Sequence, residues 1–116
     1  LEELRESLRR LEPAPLSVTL FGSFARGDDD ADSDVDVVVV RPSTVEEDDP
    51  AWSEAMAGWE GYVRRISGNT VNRIEVSADE LPKLVKSRRP LWQAIRQEGV
   101  VLSGTPLVDG MVDTRA

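Results

Sequence analysis

Apolar residues along this 116-residue chain change period several times, and each change marks an element. Leu1, Leu4, Leu8 and Leu11 recur at helical spacing with Arg and Glu between them, and Pro13 and Pro15 end the run. A first strand is predicted over Leu16 to Phe21 and a second over Val35 to Arg41, with a loop from Pro42 through the acidic stretch to Pro50. Trp52, Ala55, Met56, Trp59, Tyr62, Val63 and Ile66 then trace one helical stripe, closed by Gly68 at the C-cap. Thr70 to Ser77 reads as a third strand, with Ile74 and Val76 on one face and Arg73, Glu75 and Ser77 on the other. A helix capped by Ser77 or Asp79 is predicted to run to about Arg89, with Pro82 tolerated near its start. Pro90 opens a last helix through Trp92 and Ile95, stopped by Gly99, and Val100 to Leu102 forms a short final strand.

That order predicts an α/β domain with a small mixed β-sheet, covered by helices mainly on one face. Residues 1–104 make the domain, and 105–116, which show no periodicity, read as a flexible C-terminal tail. The chain opens on Leu1 and not on Met, which leaves room for an upstream segment, a further domain included.

Composition removes whole classes of chemistry. Without cysteine or histidine, the chain has no disulfide frame, no thiolate zinc site and no Ser-His-Asp or Cys-His mechanism. Any metal must sit on oxygen. The formal net charge of −8 argues against general nucleic-acid binding, which rests on neutralising phosphates with Lys and Arg. With neither a membrane span nor a signal peptide in the pattern, a cytoplasmic location is expected.

Candidate chemistry concentrates where the first strand ends and the second begins. Gly22-Ser23 breaks the strand into a short helix, whose unpaired backbone N–H groups suit a phosphate. Ten residues further on, Asp34-Val35-Asp36 enters the valine run. Alternation puts Asp34 and Asp36 on one face and Val35, Val37 and Val39 on the other. Two carboxylates beside a phosphate-binding turn match what magnesium accepts, one or two carboxylates plus substrate phosphates. An EF-hand is excluded, because a count from Asp28 finds Ser33 and Val39 where that loop needs Gly and Glu. The remaining alternative for the Asp28–Asp32 stretch is a solvated acidic loop running into an edge strand.

Taken whole, Gly22-Ser23-Phe24-Ala25-Arg26-Gly27, the acidic connector and Asp32-Ser33-Asp34-Val35-Asp36 resemble the signature of the DNA polymerase β-like nucleotidyltransferases, and within them the minimal nucleotidyltransferase (MNT) group. The closing Pro90 to Leu102 stretch also looks like the end of MNT domains. The resemblance implies a nucleotidyltransferase fold and a magnesium-dependent transfer of a nucleoside monophosphate, AMP from ATP, to a hydroxyl acceptor. It implies two Mg2+ ions and three carboxylates: Asp34, Asp36 and, as third, Glu75. Glu75 has a competing role as a surface partner of Arg73. Gly22 would allow close backbone approach, Ser23 would contact the β- and γ-phosphates, and Arg26 would orient phosphate, brace the aspartates or pair within the connector. Asn69 and Asn72, flanking the third strand, read as turn formers. Arg64, Arg65, Lys83, Lys86, Arg88 and Arg89 read mostly as a solvated basic face.

Small MNT proteins are often antitoxins that AMPylate a tyrosine of a HEPN ribonuclease toxin, so the implied partners are a nucleoside triphosphate and a protein acceptor of HEPN type. Nucleic acid and membrane are not expected as partners, and a homo-oligomer is left open. Two other functions stay open. One is a catalytically weak nucleotide-binding or regulatory module joined to another domain. The other is an aminoglycoside-type nucleotidyltransferase, disfavoured because this chain has no room for the helical acceptor domain such enzymes usually add.

Overall fold

A computed structural model describes residues 1–28, 30, 32–104, 106, 107, 112 and 113. In chain order the elements are α1 (Glu2–Leu8), β1 (Ser17–Phe21), α2 (Ser23–Arg26), β2 (Val35–Arg41), α3 (Pro50–Ser67), β3 (Val71–Ser77), α4 (Leu81–Leu84), α5 (Pro90–Glu98), β4 (Val100–Gly104) and β5 (Val112–Asp113). The strands form one mixed sheet in the order β3-β2-β1-β4-β5. β1 lies antiparallel to both β2 and β4, while β2 and β3 are parallel, joined by the α3 crossover. None of the described helices is long and apolar enough to cross a membrane.

The central strands are buried on both faces, and the valine run divides its side chains between two cores. Val35, Val37 and Val39 join Val18, Leu20 and Leu102 beneath α1 and α3, against Leu8, Trp52, Met56, Trp59 and Val63. Val38 and Val40 join Phe21, Val76 and Leu107 beneath Trp92 and Ile95 of α5. The heavier helical layer, α1 with α3, thus covers one face as predicted, and the short α4 and α5 back the other. Asp49 caps α3, its side chain accepting from the Trp52 N–H, and Pro50 occupies the first turn.

Three boundaries differ from the sequence reading. α1 stops at Leu8, three residues before its last periodic leucine. α4 is a single turn and not a helix to Arg89: beyond Leu84 the chain is held instead by the Arg96 guanidinium, which donates to the carbonyls of Val85 and Ser87, both at 2.8 Å. The tail is not featureless, since Leu107 is buried in the second core and Val112–Asp113 pair in parallel with β4. The rest of 105–116 lies outside the described residues.

Candidate active site

Register alone brings the two halves of the motif together. Phe21, the last residue of β1, pairs with Asp36 near the start of β2, so the chain turns out of the sheet at Gly22 directly beside Asp36. Gly22 has φ 76° and ψ −154°, a conformation essentially confined to glycine. A Cβ built there would lie 2.5 Å from Asp36 Oδ2. Glycine is therefore required twice, for its backbone and for the room it leaves the carboxylate. Ser23 follows as the first residue of α2, and Gly27, at φ 80°, closes that single turn.

Asp36 shares its face with Val38 and Val40, the α5 side of the sheet, but stands where the apolar cover ends and is half-buried. Asp34 lies two positions earlier, just before β2 begins, and is exposed. Its approach is fixed from outside the motif. The Val35 N–H donates to the Thr70 carbonyl at 2.9 Å. Asn69, buried at 8% exposure, donates from Nδ2 to the carbonyls of Asp30 (3.1 Å) and Ser33 (2.7 Å). Within the connector, the Asp30 N–H bonds Ser33 Oγ and the Asp32 N–H bonds Asp30 Oδ1. Asp29 and Ala31 fall outside the described residues. Asn69 is thus a clamp on the aspartate-bearing loop and not a simple turn former. Its position just past the Gly68 cap was the signal for a turn, and nothing local announces a contact with residues 30–33.

Arg26 takes the connector role and extends it. Its guanidinium bonds Asp28 at 3.2 Å and Glu98, at the end of α5, at 3.0 Å. The hydrogen bond to Asp28, reinforced by the charges of Asp28 and Glu98, raises its pKa above the usual value, so it stays cationic throughout.

Glu75 is not at this site. In the parallel register it pairs with Val39 and so faces α3, opposite to Asp36. There its carboxylate accepts from the buried Trp52 indole N–H at 3.0 Å and from Arg41 Nη1 at 3.1 Å, with Arg73 Nη1 at 3.6 Å. The correction is one of parity: Glu75 lies three positions, an odd offset, beyond the β3 residue beside Asp36. That residue is Asn72, in register with Asp36 and donating from Nδ2 to Asp36 Oδ1 at 3.0 Å. Sequence reasoning missed it by weighing residue type over register. The usable signal was that Asn72 shares parity with Ile74 and Val76.

Asp34 and Asp36, beside a glycine that leaves the carboxylate open, fit one hard divalent cation completed by phosphate oxygens. They do not fit the three-carboxylate arrangement, and among the described residues no group of three or more acids is placed to hold a metal.

With this geometry in hand, comparison with known proteins is decisive at the family level. Residues 1–96 match the family described as nucleotidyltransferase domain. The chain belongs to that family. The nucleotidyltransferase fold is shared with a toxin–antitoxin complex crystallised with AMP-PNP, at TM-score 0.56 and 22% identity, covering 90% of this chain and 75% of the other. It is shared also with a mutant of the MntA–HpeT toxin–antitoxin (TM-score 0.56, 21% identity, 90% and 72% covered). A third neighbour is the complex of tri-AMPylated Shewanella oneidensis HEPN toxin with its MNT antitoxin (TM-score 0.51, 18% identity, 90% and 69% covered). At these identities the likeness establishes the fold of the nucleotidyltransferase domain. No curated protein matches the chain.

Proposed function

We propose that this nucleotidyltransferase moves AMP from ATP to a hydroxyl on a protein acceptor, and that the acceptor is a tyrosine of a HEPN-type toxin. The observation that carries the reading is the meeting of Gly22 with Asp36, which puts the Gly-Ser bend and the Asp36 carboxylate at one corner of the sheet. Asp34 and Asp36 would hold magnesium, which when bound supplies the positive charge that neutralises the nucleotide phosphates. Gly22 and Ser23 would let the phosphate tail approach the backbone. Arg26, held by Asp28 and Glu98, braces the rim between α2 and α5 and is not free to engage phosphate unless those pairs open. The acceptor assignment draws on the neighbours, one of which is an AMPylated HEPN toxin bound to its MNT antitoxin. The acidic surface agrees with a protein acceptor over a nucleic acid, and ATP as donor sets the reaction in the cytoplasm.

One observation favours the second reading, a catalytically weak nucleotide-binding module: the residue beside Asp36 on β3 is an amide and not an acid. Incubation with magnesium, ATP labelled in its α-phosphate and a HEPN toxin separates the two. Label should appear on a toxin tyrosine and vanish in Asp34→Ala. Bound ATP with no transferred label would overturn the transferase and leave the module.

A further inference from the structure

We infer that the site is built to seat one divalent cation with the nucleotide, because Asn72 occupies the position at which a third acidic ligand would have to stand. The inference rests on the nucleotide-binding reading above and goes beyond it in fixing the metal count and the residue that sets it.

Among the described residues β3 is the strand that adjoins β2 on the side away from β1, so a third ligand supplied by the neighbouring strand would stand at the register partner of Asp36. That partner is Asn72, whose side chain carries no charge and has no proton-accepting carboxylate. Its orientation is set by chemistry: only the NH2 end of an amide can bond a carboxylate oxygen, so Nδ2 faces Asp36 Oδ1. The bond does two things. It fills one lone pair of Oδ1, and it leaves Oδ2 beside Gly22, where the missing Cβ makes room. Asp36 thus presents Oδ2 beside Gly22, and the exposed Asp34 precedes it by two positions along the chain. Two carboxylates beside substrate phosphates are a donor set that one hard divalent cation accepts. Glu75 cannot be recruited as a third ligand, since it lies across the sheet and holds Trp52 and Arg41. Asn72 is thus a positioning residue that sets both the aim of Asp36 and the charge of the site.

The test counts manganese(II) bound per chain, by the loss of the free-ion electron paramagnetic resonance signal, at AMP-PNP equimolar to protein. The wild-type chain should bind one ion, and Asn72→Asp should bind two, with overall manganese affinity raised at least about tenfold because ligand charge count tunes affinity over orders of magnitude. Without metal, Asn72→Asp should melt at a lower temperature than wild type, since two carboxylates would stand where a hydrogen bond stood. Asn72→Ala, which removes the bond without adding charge, should still bind one ion and keeps the test alive if the aspartate variant does not fold. Two ions on the wild-type chain, or one on a folded Asn72→Asp, would overturn the inference while leaving the nucleotide site standing. Failure of the wild-type chain to retain AMP-PNP at all would instead sink the nucleotide reading itself, and this inference with it.

Discussion

Asp36 and Glu75 sit on neighbouring strands of one sheet, three register positions apart, yet they have opposite work. Glu75 faces α3, with a side chain only 17% exposed, and three donors surround it: the Trp52 indole, Arg41 and Arg73. It is consumed in holding the helical layer to the sheet. Asp36 faces the α5 side beyond the last apolar contact, receives one amide bond from Asn72 and keeps its second oxygen against a glycine. The fold thus spends a carboxylate where donors are fixed and keeps one open where donors are scarce. Parity along β2 and β3 decides which is which.

The widest separation comes from removing each acid in turn. Asp36→Ala should lower nucleotidyl transfer by at least about 100-fold, the scale of losing a principal electrostatic group, while its melting temperature stays close to wild type. Glu75→Ala should leave manganese binding unchanged but strand the Trp52 N–H and the Arg41 charge. A loss of about 2–4 kcal/mol is expected for such a partly buried network, or roughly 10 °C in melting temperature for a chain of this size. A Glu75 variant that folded normally and lost the metal would reverse the comparison and return Glu75 to the site.

Gly22 tests how tightly the open carboxylate is fitted. Gly22→Ala places a methyl 2.5 Å from Asp36 Oδ2 on a backbone with φ 76°. It should cost about 1–3 kcal/mol and weaken AMP-PNP binding by at least about tenfold as Asp36 is pushed aside. In the Asp36→Ala background the steric part should vanish, so the double variant should be more stable than the sum of the singles. Strict additivity in thermal melts would mean that the two residues do not touch.

Asn69 is the corresponding device for the loop that delivers Asp34. Asn69→Ala removes two donors to the carbonyls of Asp30 and Ser33 and should cost about 1–2 kcal/mol. Faster amide exchange should be confined to the connector and the adjoining end of β2. Exchange spread evenly across the sheet would show that Asn69 supports the core and not the site.

Period-2 alternation made much of this legible. It divided the valine run between two faces and located the four principal strands, because each depends only on which side of the sheet is buried. Glu75 was misplaced because alternation sorts the residues within β3 but does not say which of its faces lies beside Asp36: the pattern Arg73, Glu75, Ser77 looks like an open polar face, and register and the packing of Trp52 reveal a covered one. Asn72 was hidden by its residue type, which favours turns, although register put it in the strand. The overlong α4 has a similar origin, since Lys86, Arg88 and Arg89 are good helix formers and no local signal tells that Arg96 holds the carbonyls of Val85 and Ser87. Long-range donors, and not local preference, decided each of these.

The smallest predicted effect concerns a third kind of acid, bound to backbone at the surface. Glu80 Oε1 accepts from the Ser77 N–H at 3.0 Å while Ser77 Oγ accepts from the Glu80 N–H at 3.3 Å, a reciprocal pair that caps the turn leading into α4. The backbone bond from Ser77, then its side-chain bond, holds the Glu80 pKa below its ordinary 4.5. A carboxylate depressed in the folded state stabilises it above the unfolded value and loses that contribution as pH falls through the folded value. Glu80→Gln should therefore melt slightly below wild type at pH 7, with the gap closing as pH drops below 4.5. Were the gap constant across that range, the charge on Glu80 would contribute nothing and the cap would act through its neutral hydrogen bonds alone.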